Sequence, residues 1–163
     1  MTTRDAVVIR RADLESLAGR SVLVVTPHAD DPALFAGGTI ALMASCGATV
    51  HYLRITRDET DSVGLTPDDT ASAISGELAE AARHLGIAEV IDLGYASDRL
   101  SEVPLTALRE HVIRVFRRVR PYAVLSFDPY SAYGEDNSDH IRTAQAVDEA
   151  CWTSMFDKHH PEH

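Results

Sequence analysis

Four short apolar runs punctuate the chain, SVLVVT at 21–26, ATVHYLRIT at 48–56, EVIDL at 89–93 and YAVLSF at 122–127, and longer amphipathic stretches separate them. A continuous run such as SVLVVT suits a strand buried on both faces, because alternate side chains then meet apolar cover above and below the sheet. GGTIALMA at 37–44 reads as the helix that follows it. Between Thr70 and Leu85 the residues Ile74, Leu78, Ala81, Ala82 and Leu85 recur at helical spacing, and Gly86 stands where a C-terminal cap belongs. Pro104 opens a further helix whose apolar stripe is Leu108, Val112, Val115, Phe116 and Val119, and Pro121 stops it. A last helix is expected near Asp139 to Trp152. Strands alternating with helices build βαβ units, so the expected fold class is α/β, a Rossmann-like and mostly parallel sheet in the order 3-2-1-4 with helices on both faces.

Two segments break the pattern. Arg57 to Asp69 holds Gly64, Pro67 and five carboxylates and reads as an exposed loop, a lid candidate, and Asp128 to Ser138 is a second polar loop. Residues 1–20 form a preamble without a clear pattern. In a sheet of this order the loops after strands 1 and 4 emerge side by side at the topological switch point, where such folds bind ligands. The first of those loops carries Pro27-His28-Ala29-Asp30-Asp31 and the second ends in Asn137-Ser138-Asp139-His140, so two groups of ionisable residues are expected to converge.

Composition narrows the possibilities. A chain of 163 residues is expected to form one domain, 1–163, and its 45% hydrophobic and 25% charged residues fit a globular protein rather than a disordered or fibrous one. Fifteen Lys and Arg against twenty-five Asp and Glu give a net charge of -10, which argues against nucleic acid and anionic membrane as partners. Cys46 and Cys151 lack CxxC spacing, and no stretch reaches the length of a membrane span, so a reduced, cytoplasmic location is expected.

The convergent residues suit a metal. A zinc-type ion accepts imidazole nitrogen and carboxylate oxygen, and a catalytic site uses three protein ligands with a further position left for water. His28, Asp31 and His140 supply that set. Asp30 is offset from Asp31 and is the candidate general base, able to take a proton from a water whose pKa the metal has lowered toward about 7. Asp139, next to His140, is expected to steady a ligand or a neighbouring side chain by a hydrogen bond. His-x-Asp-Asp is also compatible with an Asx turn or a helix cap, and Ser138 or Asp139 with a cap of the last helix. His51, His84 and His111 read as ordinary core or surface histidines. His159, His160 and His163 have metal-binding composition, but a chain end is expected to fray, which makes binding there adventitious. Gly37-Gly38 lacks the GxGxxG context of a dinucleotide loop.

Pro27-His28-Ala29-Asp30-Asp31 with Gly37-Gly38-Thr39 resembles the PHPDD motif and following glycines of the LmbE/PIG-L family of zinc-dependent N-acetylglucosaminyl deacetylases. Glu77–Ala82 with Leu85-Gly86, Leu93-Gly94-Tyr95, Asp98, Arg120-Pro121, Phe127-Asp128-Pro129 and Asp139-His140 follow in the family's order, so the resemblance covers about residues 20–163. It implies Zn2+, or another divalent metal, on His28, Asp31 and His140, Asp30 as base, and Asp98 near the substrate sugar. There are three departures. Pro32 stands where the motif usually has Glu, Asn137 stands where a His is credited with polarising the oxyanion, and the chain ends where most relatives continue, so the resemblance implies a domain short at its C-terminus. An amide still donates a hydrogen bond to an oxyanion, which makes Asn137 a candidate catalytic residue beside Asp30 and Asp139.

The expected function is metal-dependent removal of an acetyl or other acyl group from the amine of an N-acetylglucosamine-type sugar or conjugate. The alternatives are a metal- or sugar-binding homologue that has lost turnover, motivated by Pro32 and Asn137, and a metal phosphoesterase, which needs more ligands than the sequence offers. Arg57 is a candidate for meeting an anionic aglycone, and Tyr130 and Tyr133 for stacking on a sugar face. The apolar cluster Trp152, Met155 and Phe156, followed by a polar tail, is expected to stay uncovered in a single chain and to seek a homo-oligomer.

Overall fold

The computed structural model describes residues 15–130 and 135–163. Of the residues singled out above, Tyr133 lies outside the described part. Four parallel strands, β1 (Ser21–Thr26), β2 (Thr49–Thr56), β3 (Ile87–Tyr95) and β4 (Ala123–Leu125), form one sheet in the order β3-β2-β1-β4. Among the described residues four α-helices connect and flank them: α1 (Asp31–Ser45), α2 (Pro67–Leu85), α3 (Leu105–Val119) and α4 (Ser138–Thr153).

The alternation within β1 explains the layers. Leu23 and Val25 face one side, where Leu108, Val112 and Phe116 of α3 and Ala146, Val147 and Ala150 of α4 cover them. Val22 and Val24 face the other side and meet Ile40 and Met43 of α1 and Leu78 of α2. Each such Val or Leu contributes about 1.5–3 kcal/mol when fully buried, so a strand that is apolar at every position gains on both faces. The expected strand order and two-sided helical cover are both present.

The sequence pattern misplaces α1 by six residues: the helix starts at Asp31, not Gly37. Pro32 fits its first turn because the missing N–H has no partner to lose there, while Leu34 and Phe35 point to solvent and blur the amphipathic period. α2 likewise starts at Pro67, with the Thr66 hydroxyl accepting from the Asp69 backbone N–H, so the polar loop is shorter than expected. β4 stops at Leu125 rather than Phe127; Ser126 and Phe127 leave the ladder, and the Phe127 ring instead stacks on His140.

Gly86 closes α2 as expected, at φ 75°, and a Cβ there would come within 2.7 Å of the Ala44 Cβ of α1. Gly86→Ala combines left-handed strain with a clash between two helices, and is expected to cost about 1–3 kcal/mol in a urea unfolding titration. Trp152, Met155 and Phe156 are exposed, as the sequence suggested. No helix among the described residues is long and apolar enough to cross a membrane.

Candidate metal centre

Because β1 lies between β2 and β4, the segments leaving the carboxyl ends of β1 and β4 meet above the sheet. The turn after β1 is pinned from below by β2. The Thr56 backbone N–H donates to the Pro27 carbonyl at 3.0 Å, the buried Tyr52 hydroxyl donates to the His28 carbonyl at 2.5 Å, and Asp58 accepts from the Ala29 N–H at 3.0 Å. Asp31, in the first turn of α1, accepts the His28 N–H at 2.9 Å. These bonds fix the backbone that aims the His28 ring.

His140 enters from the first turn of α4. Its Nε2 lies 3.3 Å from His28 Nδ1 and 3.3 Å from Asp31 Oδ1, and His28 Nδ1 lies 3.6 Å from Asp31 Oδ2. All three residues are buried, and their donor atoms fall within 4.8 Å of one another. Bonds of 2.0–2.2 Å to a tetrahedral ion put adjacent donors about 3.3–3.6 Å apart, so the donor set fits a zinc-type ion in spacing as well as in chemistry.

Each imidazole has a carboxylate on its far nitrogen. Asp139 Oδ2 lies 3.6 Å from His28 Nε2, and Glu135 Oε2 lies 2.8 Å from His140 Nδ1. Asp139 is fully buried, and its oxygens also accept the backbone N–H groups of Asp98 at 2.7 Å and Leu100 at 3.1 Å. Such partners fix ring orientation and raise ligand basicity. Burial of the His28 ring works against its charge, but hydrogen bonds to Asp139 and Asp31 and the charges of Asp31 and Asp58 outweigh it and push His28 up to about 10. Burial would raise Glu135 and Asp139 too, yet the facing histidines and backbone donors hold both below the usual carboxylate range. The surplus of negative charge around the two rings favours a cation between them.

A protonated His28 binds no metal, so proton and metal compete for it. Zinc affinity is therefore expected to rise by up to about tenfold per pH unit through the neutral range, because His28 pushed up to about 10 is still charged there whereas a free imidazole would already be neutral. Competition with a chelator at several pH values measures this. Without metal the sign reverses: the charged His28 stabilises the fold fully below its ordinary value of 6.5, and that contribution is lost as pH rises through about 10.

Asp30 stands apart from the three donors. It is exposed at the start of α1, its side chain makes no cap bond, and it lines a cleft of about 330 Å3 with Ala29, Asp58, Asp61 and Glu77. On the other side of α1, a cleft of about 370 Å3 is lined by Asp31, Phe35 and Phe127. The Phe127 ring lies 4.0 Å from that of His140 at 10°, and Phe35 stands edge-on to it, so His140 has an apolar wall.

The remaining sequence candidates are distributed less closely. Asn137 caps α4: its side-chain oxygen accepts the backbone N–H groups of Asp139 at 2.9 Å and His140 at 3.4 Å, which leaves only its NH2 group for an oxyanion. Asp98 has an exposed side chain at φ 60° and touches the centre through its backbone N–H on Asp139. Arg57 faces Glu59 at 3.6 Å and Asp68 at 3.8 Å, and the Tyr130 hydroxyl donates to Asp148 on α4 at 3.2 Å. His51, His84 and His111 are engaged with Glu89, Glu80 and Tyr95 respectively, as befits ordinary structural histidines.

Sequence reasoning missed Glu135 and Asp58. Glu135 lies five residues before His140 on the same loop, and Asp58 lies two beyond the end of β2, the strand beside β1; both are carboxylates close to a motif, a signal that adjacency could have given. Glu135→Ala is expected to lower metal affinity about 10- to 100-fold without removing a ligand, as measured by chelator competition.

A family model described as PIG-L, GlcNAc-PI de-N-acetylase, matches residues 23–151. A 1D-myo-inositol 2-acetamido-2-deoxy-alpha-D-glucopyranoside deacetylase of Rhodococcus opacus is 32% identical across 86% of this chain and 57% of its own length. A diacetylchitobiose deacetylase of Thermococcus kodakarensis is 34% identical across 74% of this chain and 45% of its own. Among solved structures, N,N'-diacetylchitobiose deacetylase from Pyrococcus horikoshii superposes with a TM-score of 0.81 at 27% identity, over 88% of this chain and 53% of that one. A 4-carboxy-2-hydroxymuconate hydratase from Pseudomonas putida superposes with a TM-score of 0.67 at 27% identity, over 86% of this chain and 59% of that one. The chain thus spans about half the length of the relatives it matches.

Proposed function

The chain belongs to the PIG-L, GlcNAc-PI de-N-acetylase family, and from that premise we propose that it removes an acetyl group from the amine of an N-acetylglucosamine-type sugar or conjugate. The observation that carries this reading is the convergence of His28, Asp31 and His140, with Asp30, whose carboxylate makes no cap bond, adjoining Asp31 at the start of α1. The deacetylases among the relatives favour amide hydrolysis over the hydration that the muconate enzyme performs.

His28, Asp31 and His140 would hold a zinc-type ion, which when bound would supply a Lewis acid for the acyl oxygen and acidify water. Asp30 takes the proton from the attacking water on its carboxylate and later delivers it to the departing sugar amine, so one residue serves as base and then acid. Asp139 and Glu135 keep the two imidazoles turned toward the shared point. The Asn137 oxygen is committed to the α4 cap, and its NH2 group is left to donate to the developing oxyanion. Asp98 is assigned to sugar hydroxyls. Arg57 and Tyr130 would have to exchange their present carboxylate partners for a substrate. The acidic charge and the two free cysteines support action in a reduced cytoplasm.

The experiment is a panel of N-acetylglucosaminyl conjugates, among them the inositol conjugate and diacetylchitobiose, incubated with the zinc-loaded chain. Stoichiometric release of acetate and free amine from at least one is expected. Loaded protein that releases no acetate from any member would leave the chain a metal- or sugar-binding homologue.

A further inference from the structure

Far along the sequence from the residues of the β1 and β4 turns, the polar tail 157–163 folds back along α3. The Arg117 guanidinium, on α3, donates to the backbone carbonyls of Phe156 at 2.9 Å, His159 at 2.6 Å and His160 at 2.5 Å. The expectation that this segment frays is therefore wrong. One arginine offers its fork of donors to three carbonyls that no regular ladder satisfies, and that is enough to fix the path of the chain. Held this way, His160 adopts φ 51°, a left-handed conformation that a non-glycine residue rarely takes without support from its surroundings.

Two turns before Arg117, α3 presents Glu110 to this segment. Its Oε1 lies 3.1 Å from His163 Nε2 and its Oε2 lies 3.8 Å from His160 Nδ1. Glu162 completes the group, with Oε1 at 3.3 Å from His160 Nδ1 and 3.9 Å from His163 Nε2. One donor atom from each of the four residues falls within 4.8 Å of the others, and the two imidazole side chains are three-quarters or more shielded from solvent.

We propose that Glu110, His160, Glu162 and His163 form a second divalent-cation site of the zinc class, which fastens the tail to α3. Two imidazoles and two carboxylates are a four-ligand set with no position left open, the composition of a structural rather than a catalytic site. Two carboxylates also neutralise a dication. Two of the cross distances already match the edge of about 3.3 Å that a tetrahedral ion imposes, and the other two need to close by about half an ångström. Arg117 lowers the ordering cost of binding, because the backbone that carries His160 is in place beforehand. The site shares no residue with the His28, Asp31 and His140 centre, so a cation here would act on tail attachment and leave the chemistry alone.

Metal-stripped chain is titrated with zinc, and bound metal is counted by elemental analysis after equilibrium dialysis. Two equivalents per chain are expected for the native sequence. His160→Ala combined with His163→Ala is expected to leave one equivalent and an unchanged rate of acetate release, and His140→Ala is expected to leave the other equivalent. Glu110→Gln, which leaves the tail sequence intact, is expected to weaken one equivalent at least tenfold and spare the second. Zinc is also expected to slow tryptic cleavage after Lys158 in the native chain and not in the double variant. A native chain that binds a single equivalent, or a double variant and a Glu110→Gln variant that both retain two tight equivalents, would overturn the site.

Discussion

Replacing His28 or His140 with alanine is expected to remove one zinc equivalent per chain and to take acetate release with it. The two rings and Asp31 are buried, and their donor atoms lie within 4.8 Å of one another, so each alanine takes one donor out of a set of three. Loss of a mere supporting hydrogen bond to a ligand costs about 10- to 100-fold in metal affinity, and loss of the ligand itself is expected to cost more. The fold should survive, since the strands and helices bury their apolar faces elsewhere. Removal of His140 also leaves Glu135 and Asp31 without their facing ring, and Asp139 loses its imidazole when His28 goes. Unpaired carboxylates near one another repel, so both variants should be less stable at neutral pH than in mild acid, where protonation relieves them. Elemental analysis and acetate release on the same sample separate loss of metal from loss of fold.

Asp30→Asn is expected to behave in the opposite way: full metal content, with acetate release reduced about 100- to 10,000-fold. Asp30 makes no bond to the three donors and no cap bond to α1, so its carboxylate contributes little to holding the turn. An amide of the same shape occupies the same place but cannot accept a proton from water. Asp30→Asn should therefore lower kcat while leaving KM near the native value, because the group is asked to act on the reacting atoms and not to bind the sugar. Near-normal turnover in a metal-loaded Asp30→Asn chain would move the base elsewhere. Asp139 would be a poor replacement, since both of its oxygens already accept backbone N–H groups in a position closed to solvent.

The sheet was legible because β1 is apolar at every position and only a two-sided sheet makes use of that; its bounds and the strand order follow directly. The start of α1 was not legible. Asp31 and Pro32 look like a loop in sequence, and Leu34 and Phe35 are apolar residues on the solvent side of a helix, which hides the period that marks burial. That His28, Asp31 and His140 would converge could be read from residue type and topology, since strand order alone brings the β1 and β4 turns together. Of their supports, Asp139 was read and Glu135 and Asp58 were not. Glu135 and Asp58 matter through where their loops turn back, and loop geometry is set by contacts distant in sequence, such as the Tyr52 hydroxyl donating to the His28 carbonyl and the Asp58 backbone N–H donating to Ser97 Oγ at 3.0 Å. Asn137 shows the converse: residue type suggested an oxyanion donor, while local backbone chemistry gives its oxygen to the start of α4. The tail was misread for the same reason, because nothing near residues 157–163 in sequence announces Arg117.

The reading stands or falls on whether one ion sits between the β1 and β4 turns. Crystals of the zinc-loaded chain, measured on both sides of the zinc absorption edge, would locate it by anomalous difference density. A peak about 2.0–2.2 Å from His28 Nδ1, His140 Nε2 and a carboxylate oxygen of Asp31 is the predicted result. Fully loaded crystals with no peak among those three atoms would contradict it.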